Sequence, residues 1–112
     1  MTQRDFLGEF EHIVLLAVAH LGDEGYGTTV RREIERRTGR AVTVGAVYAT
    51  LARLEEKGYV ASWQGESTSK RGGRSKRHFQ LRPAGVRALD ATRTMLEQMW
   101  VGASLEPRAG RS

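Results

Sequence analysis

A chain of 112 residues has room for one domain and not two. Hydrophobic residues at 39% and charged residues at 28% are ordinary for a folded protein, while 18 Lys plus Arg against 13 Asp plus Glu leave a net charge of +5 that favours an anionic partner. With no cysteine, disulfides, thiolate zinc sites and cysteine nucleophiles are excluded.

The longest apolar run, Ile13–Leu21, is interrupted by His20 and is far short of the roughly 20 residues that span a bilayer. Asp5, Glu9 and Glu11 precede it, the wrong charge for a signal peptide. The expectation is a soluble, cytoplasmic protein without a membrane partner.

The first predicted helix covers Asp5–Leu21, with Phe6, Phe10, Ile13, Val14, Ala17, Val18 and Leu21 at three- and four-residue spacings. Gly22-Asp23-Glu24-Gly25 breaks it. A second helix follows over roughly Thr28–Arg37, with Thr28 as its cap, Val30 and Ile34 on one face and Gly39 as its stop. A third runs from Thr43, a good N-cap, to Gly58, with Val44, Val47, Tyr48, Leu51 and Leu54 at helical period.

The texture then changes. Tyr59–Trp63 and Arg77–Leu81 are rich in strand formers, and the glycine- and serine-rich stretch Gly65–Lys76 between them reads as a long hairpin tip. From Pro83, suited to a first helical turn, a fourth helix is predicted to about Leu105. The polar tail 106–112 is expected to be disordered. Three helices, a β-hairpin and a last helix make a mainly α fold: a winged helix-turn-helix over 1–82 and a C-terminal dimerisation helix over 83–105.

The third helix has two faces. Opposite its apolar arc lie Ala46, Ala49 and Arg53, flanked by Thr50 and Lys57. Small side chains let a helix sit deep in a groove roughly 12 Å wide, so that Arg53 and Thr50 reach base edges or phosphates. The amides near Thr43 and Gly45 are placed to face phosphate, and Tyr48, on the edge of the core face, is a candidate for a phosphate contact through its hydroxyl or, equally, for packing. An ordinary surface helix, with alanines for propensity, fits this segment equally well.

The hairpin tip favours the DNA reading. Lys70-Arg71-Gly72-Gly73-Arg74-Ser75-Lys76-Arg77 sets five cations in eight residues with no acid. A solvated face interleaves both signs, as Arg31–Arg37 does. Lys70, Arg71, Arg74 and Lys76 suit a phosphate backbone, where each neutralised charge releases counterions.

Gly25-Tyr26-Gly27, the run Val44–Val60 and the run Gly73–Leu81 resemble the PadR family of transcriptional regulators, over about residues 6–100. Within the second run the tyrosine–leucine–arginine–leucine–glutamate spacing followed by Lys57-Gly58 is the more specific part, and Gly85 near the start of the last helix adds to it. Ala49 stands where the family commonly has proline, and Arg82 where threonine is usual, which leaves the last helix without a good side-chain cap. The resemblance implies a short-form dimeric repressor on a pseudo-palindromic operator in duplex DNA. In some members of the family it also implies release by a small effector.

Val86, Leu89, Met95, Leu96, Met99 and Trp100 cover close to half of the last helix, wider than one contact within a domain needs. A homodimer surface is therefore expected from Phe6, Phe10, Leu89, Leu96, Met99 and Trp100, which are also the candidates for a small apolar effector pocket. Core filling by the methionines is the plainer alternative.

An enzyme is not indicated. His12, His20 and His78 lack metal-ligand spacing, and Glu55-Glu56 project apart. Gly25-Tyr26-Gly27 follows a helix, which is not the setting of a dinucleotide fingerprint. No metal or cofactor is expected. The competing class is a winged-helix protein-interaction module that never touches DNA; its mark would be an acidic or apolar third helix.

Overall fold

The computed structural model describes residues 6–65 and 76–107. Helix α1 spans Glu9–Leu21, and the Gly8 amide ahead of it donates to Glu11 Oε1 at 3.2 Å, tying the first turn together. The helix begins later than expected, and Phe6 lies outside it and exposed, whereas Leu7 beside it is buried. The buried stripe of α1 is Val14, Leu15, Ala17 and Val18, so Phe10 and Ile13 sit only at its margin.

A single 3-10 turn, Gly22–Glu24, leads to α2, Gly27–Thr38. Thr28 does not cap α2, as it lies inside the helix and exposed. Thr29 takes that role: its hydroxyl accepts from the Tyr26 amide at 3.0 Å, and it also lies within donating distance of the Tyr26 carbonyl, at 2.8 Å. Val30 and Ile34 are buried as expected. Helix α3, Val44–Glu56, opens on Thr43, whose hydroxyl accepts from the Ala46 amide at 3.0 Å. Gly39 and Gly58 follow α2 and α3 at φ +73° and +79°, a conformation that side chains resist and glycine adopts freely.

Strands β1, Val60–Gln64, and β2, Arg77–Leu81, pair antiparallel with Val60 opposite Leu81 and Gln64 opposite Arg77. Pairing continues one step further, where the Gly65 amide donates to the Lys76 carbonyl at 2.7 Å. The tip expected between them, with Lys70, Arg71 and Arg74, lies outside the described residues, as does most of the tail.

Gly25-Tyr26-Gly27 locks this hairpin to the helices. The Phe79 amide donates to the Gly25 carbonyl at 2.7 Å, and Tyr26 forms a bridge with His78. The Tyr48 ring lies against Gly27, where an added Cβ would stand 2.3 Å from it. The motif is thus a packing joint between α2, α3 and β2.

One core joins these elements, with Leu15, Ile34, Leu51, Leu54 and Val60 fully buried. Each large aliphatic among them contributes about 1.5–3 kcal/mol by burial.

Helix α4, Pro83–Trp100, ends five residues before the expected Leu105. The chain turns there through Gly102, at φ +78°, and the Ala103 amide closes on the Trp100 carbonyl. Arg82 provides no side-chain cap, as its identity implied. The buried residues of α4 are a stripe of small ones, Gly85, Ala88 and Thr92, all in its first ten residues, and of the large apolar arc Leu89 packs partly against the core. The Thr92 hydroxyl accepts from the Leu7 amide at 3.0 Å, joining the two ends of the chain.

Candidate nucleic-acid interface

The outward face of α3 carries Gly45, Ala46, Ala49 and Ala52, all exposed, with open space around the Gly45 Cα. No acid occurs on this helix before Glu55. At the far end of the face stands Arg53, its side chain 55% exposed. These are the features that let a helix approach a groove and present one cation to it.

Thr50 departs from the expectation. It is 2% exposed and belongs to the core rather than the outward arc. On a helical wheel it falls three residues after Val47 and four before Leu54, within about 60° of the core centre, so packing claims it. Its hydroxyl nevertheless accepts a hydrogen bond from Arg53 Nη2 at 3.3 Å. Tyr48 is 40% exposed, and its ring packs on Gly27 and towards Phe79, at 6.4 Å between centroids.

Lys57 is not a loose cation: its ammonium lies 3.0 Å from Glu11 Oε2 on α1. The same oxygen is 3.9 Å from Arg53 Nε. Burial pushes the Glu11 carboxyl up, but the hydrogen bonds from Lys57 and the Gly8 amide, with the charges of Lys57 and Arg53, outweigh it and hold the group below its ordinary value. A depressed carboxylate stabilises the fold above its unfolded pKa and ceases to do so as pH falls through its folded one. Glu11→Gln should therefore lower the unfolding temperature at pH 7, with the gap to the parent protein narrowing below about pH 4. Melting curves from pH 7 to 3 test this, and a gap that does not depend on pH would refute it.

The cations of α2 are arranged differently. Arg37 and Arg36 both bond Glu33 and hold its carboxyl below the ordinary range, and Arg31 pairs with Glu35 at 3.0 Å. On that helix three of the four arginines pair with glutamates of the same helix. Arg40, which the sequence reading passed over, stands at the entry to α3. It pairs with Glu9 at 3.1 Å, lies 5.4 Å over the Phe10 ring, and borders a shallow depression with Val42, Thr43 and Ala46. Phe10 accordingly faces the start of α3 in the single chain and does not line the groove between α1 and α4.

Lys76 marks the root of the wing, where its ammonium sits 4.3 Å from the centre of the Tyr26 ring. Behind it His78 stacks on Trp63 at 5.3 Å and meets the edge of Tyr26. The periodicity of the strands did not reveal this cluster, since it forms between three separate segments.

Helices α1 and α4 form an open groove of about 550 Å³ lined by Leu16, Val86, Leu89 and Leu96 with His12, Asp90 and Arg93. Leu89 and Leu96 are among its walls. Leu16 was missed, because it lies off the main stripe of α1. Met99 and Trp100 stand past the groove, 73% and 61% exposed, so they face solvent instead of a pocket in the single chain.

Among the described residues no cluster of three His, Asp or Glu side chains could hold a metal ion, and no helix is long and apolar enough to cross a membrane.

Comparison with known proteins agrees with this geometry. Residues 15–91 match the transcriptional regulator PadR-like family. A transcriptional regulator from Clostridium thermocellum is 24% identical, with a TM-score of 0.67 and coverage of 80% of this chain and 81% of that one. A PadR family transcription regulator from Clostridium difficile is 22% identical, with a TM-score of 0.63 and coverage of 80% and 90%. F93 from STIV, a winged-helix DNA-binding protein, shares the fold at 14% identity, with a TM-score of 0.66 and coverage of 89% and 100%. No curated protein sequence matches. Four helices with a two-stranded wing, matched to the family over more than half of the chain, lead to one assignment: this protein belongs to the PadR-like family of transcriptional regulators and has a winged-helix DNA-binding fold.

Proposed function

We propose that the protein is a repressor that binds a pseudo-palindromic operator as a homodimer. The observation that carries this reading is the outward face of α3: small, acid-free and ending on the exposed Arg53. In it α3 enters the major groove, with Gly45, Ala46 and Ala49 permitting close approach and Arg53 reading a base edge. Thr43 and Tyr48 flank the groove, and Lys57, while it stays on Glu11, adds its charge near phosphate. The wing cations Lys70, Arg71, Arg74 and Lys76 supply phosphate contacts, which add affinity with little sequence preference.

The same face argues against a module that binds only proteins, since it is neither acidic nor broadly apolar. In the dimer, Leu16, Val86, Leu89, Leu96 and Trp100 of each protomer cover one another, and 83–100 acts as the dimerisation helix. The α1–α4 groove is the place where a small apolar effector would lodge at that interface, with Leu89 and Leu96 as its walls.

Arg53→Ala should cost about 1–3 kcal/mol on the preferred duplex and relax preference at one base pair per half-site. Footprinting should protect two half-sites about one helical turn apart, roughly 34 Å. A uniform loss across sequences would reduce Arg53 to a phosphate contact, and the absence of any protected site would overturn the reading.

A further inference from the structure

Arg53 is held on one edge and open on the other. Its Nη2 donates to Thr50 Oγ1 at 3.3 Å, and its Nε lies 3.9 Å from Glu11 Oε2, an ion pair beyond hydrogen-bond distance, so the Nε–Nη2 edge is the one on the protein side. Among the described residues no other group pairs with Arg53. The end-on edge, Nη1 with the outer N–H of Nη2, is therefore the fork left to face outward. That is one of the guanidinium edges able to meet two acceptors at once.

Both anchors are themselves fixed. Thr50 is buried within the core stripe of α3, which leaves its hydroxyl little room to move. Glu11 is 13% exposed and its two oxygens are used separately: Oε1 accepts from the Gly8 amide at 3.2 Å, and Oε2 from Lys57 at 3.0 Å. The carboxylate therefore belongs to the frame of α1 and does not follow Arg53 about.

We infer that Glu11 and Thr50 are specificity-positioning residues that aim the free fork of Arg53, an inference that rests on the DNA reading above. Neither reaches the nucleic acid. A long arginine side chain without such supports samples many rotamers and neutralises whatever phosphate is nearest; held on one edge, it offers two parallel donors in one direction. Two acceptors on one base, as guanine presents with O6 and N7, match that fork. The rival role for Glu11 is electrostatic competition, in which the carboxylate merely detains Arg53 and Lys57 from phosphate.

The two roles give opposite results. The full chain is used to select from a randomised duplex library, and the selected duplex and its single-base-pair variants are then titrated with the parent protein, Glu11→Gln, Thr50→Val and Arg53→Ala. At the base pair where Arg53→Ala loses its preference, Glu11→Gln and Thr50→Val should each reduce discrimination about tenfold. Added to Arg53→Ala, neither should reduce it further. Thr50→Val keeps the volume of the buried side chain and leaves Glu11 intact, so the inference stays testable if Glu11→Gln folds poorly.

Unchanged discrimination with uniformly tighter binding by Glu11→Gln would make the carboxylate a competitor and overturn the inference. Unchanged discrimination with uniformly weaker binding would make its role structural and overturn it equally. An Arg53→Ala protein that keeps every base preference has the same consequence. Failure of the parent chain to select any duplex is a different result, which brings down the DNA reading itself.

Discussion

Leu96→Asp should convert a micromolar dimer into a monomer, with the fold of each chain intact. Leu96 is 42% exposed in the single chain and lines the α1–α4 groove with Leu16, Val86 and Leu89. It lies outside the buried core, so the substitution should cost the isolated domain only about 1 kcal/mol, chiefly through helix propensity and an acid near the helix C-terminus. At the centre of a closed dimer interface the same carboxylate would be stripped of water without a cation dedicated to it. Such a buried charge costs several kcal/mol, so the dissociation constant should rise at least 100-fold.

The position of this surface supports the expectation. Helix α4 is about 27 Å long at 1.5 Å per residue, yet its buried residues all lie before Arg93. The remaining turns present Leu96, Met99 and Trp100 to solvent, followed by Val101 and Leu105, a group of exposed apolar side chains of the kind that marks an interaction surface. Arg93 lies within the stripe but pairs with Glu97 at 3.0 Å. Sedimentation velocity at micromolar concentration decides the matter. A monomeric parent protein, or a Leu96→Asp variant that stays dimeric, would refute the assignment. A monomeric variant should also bind a two-half-site duplex far more weakly, because the second half-site would no longer be held nearby.

Gly85→Ala should be the most damaging glycine-to-alanine change among the described residues, because the added methyl meets backbone. In a helix interior, replacing glycine by alanine ordinarily gains up to about 1 kcal/mol. Here the added Cβ would stand 2.4 Å from the Tyr59 carbonyl oxygen and 2.8 Å from Leu81 Cδ1. The oxygen is backbone and cannot step aside, and the same carbonyl accepts from the Arg82 amide at 2.9 Å. Relieving the overlap requires α4 to lift from the start of β1, which opens the contact around Ala88 and Thr92. A net loss of about 1–3 kcal/mol is expected, seen as a fall of several degrees or more in thermal unfolding. Gly45→Ala is the natural control, because nothing lies within 4 Å of its added Cβ and stability should not fall. A Gly85→Ala protein as stable as its parent would mean that α4 rides further from β1 than the structure places it.

These cases separate what local chemistry decides from what assembly decides. Helices α2 and α3 and strand β2 were legible as a sequence because their signals are local: an apolar residue every third or fourth position, a threonine whose hydroxyl meets an amide three residues on, a glycine where the backbone turns left-handed. The order of helices and strands then left few architectures, and the winged helix followed from it.

Periodicity could not rank residues on the flank of a stripe. Thr50 and Arg53 lie on neighbouring parts of the wheel, and only the packing of α3 against the rest of the core made one buried and left the other out. Nor could it find partners that are distant in sequence. Glu11 meets Lys57 across 46 positions, and Leu7 meets Thr92 across 85. The apolar arc of α4 was legible in the sequence, but its docking stripe of Gly85, Ala88 and Thr92 was invisible to a search for large hydrophobic residues. Small side chains announce nothing on their own. Their role appears only when another backbone arrives at the distance they permit, and that approach is a property of the folded chain.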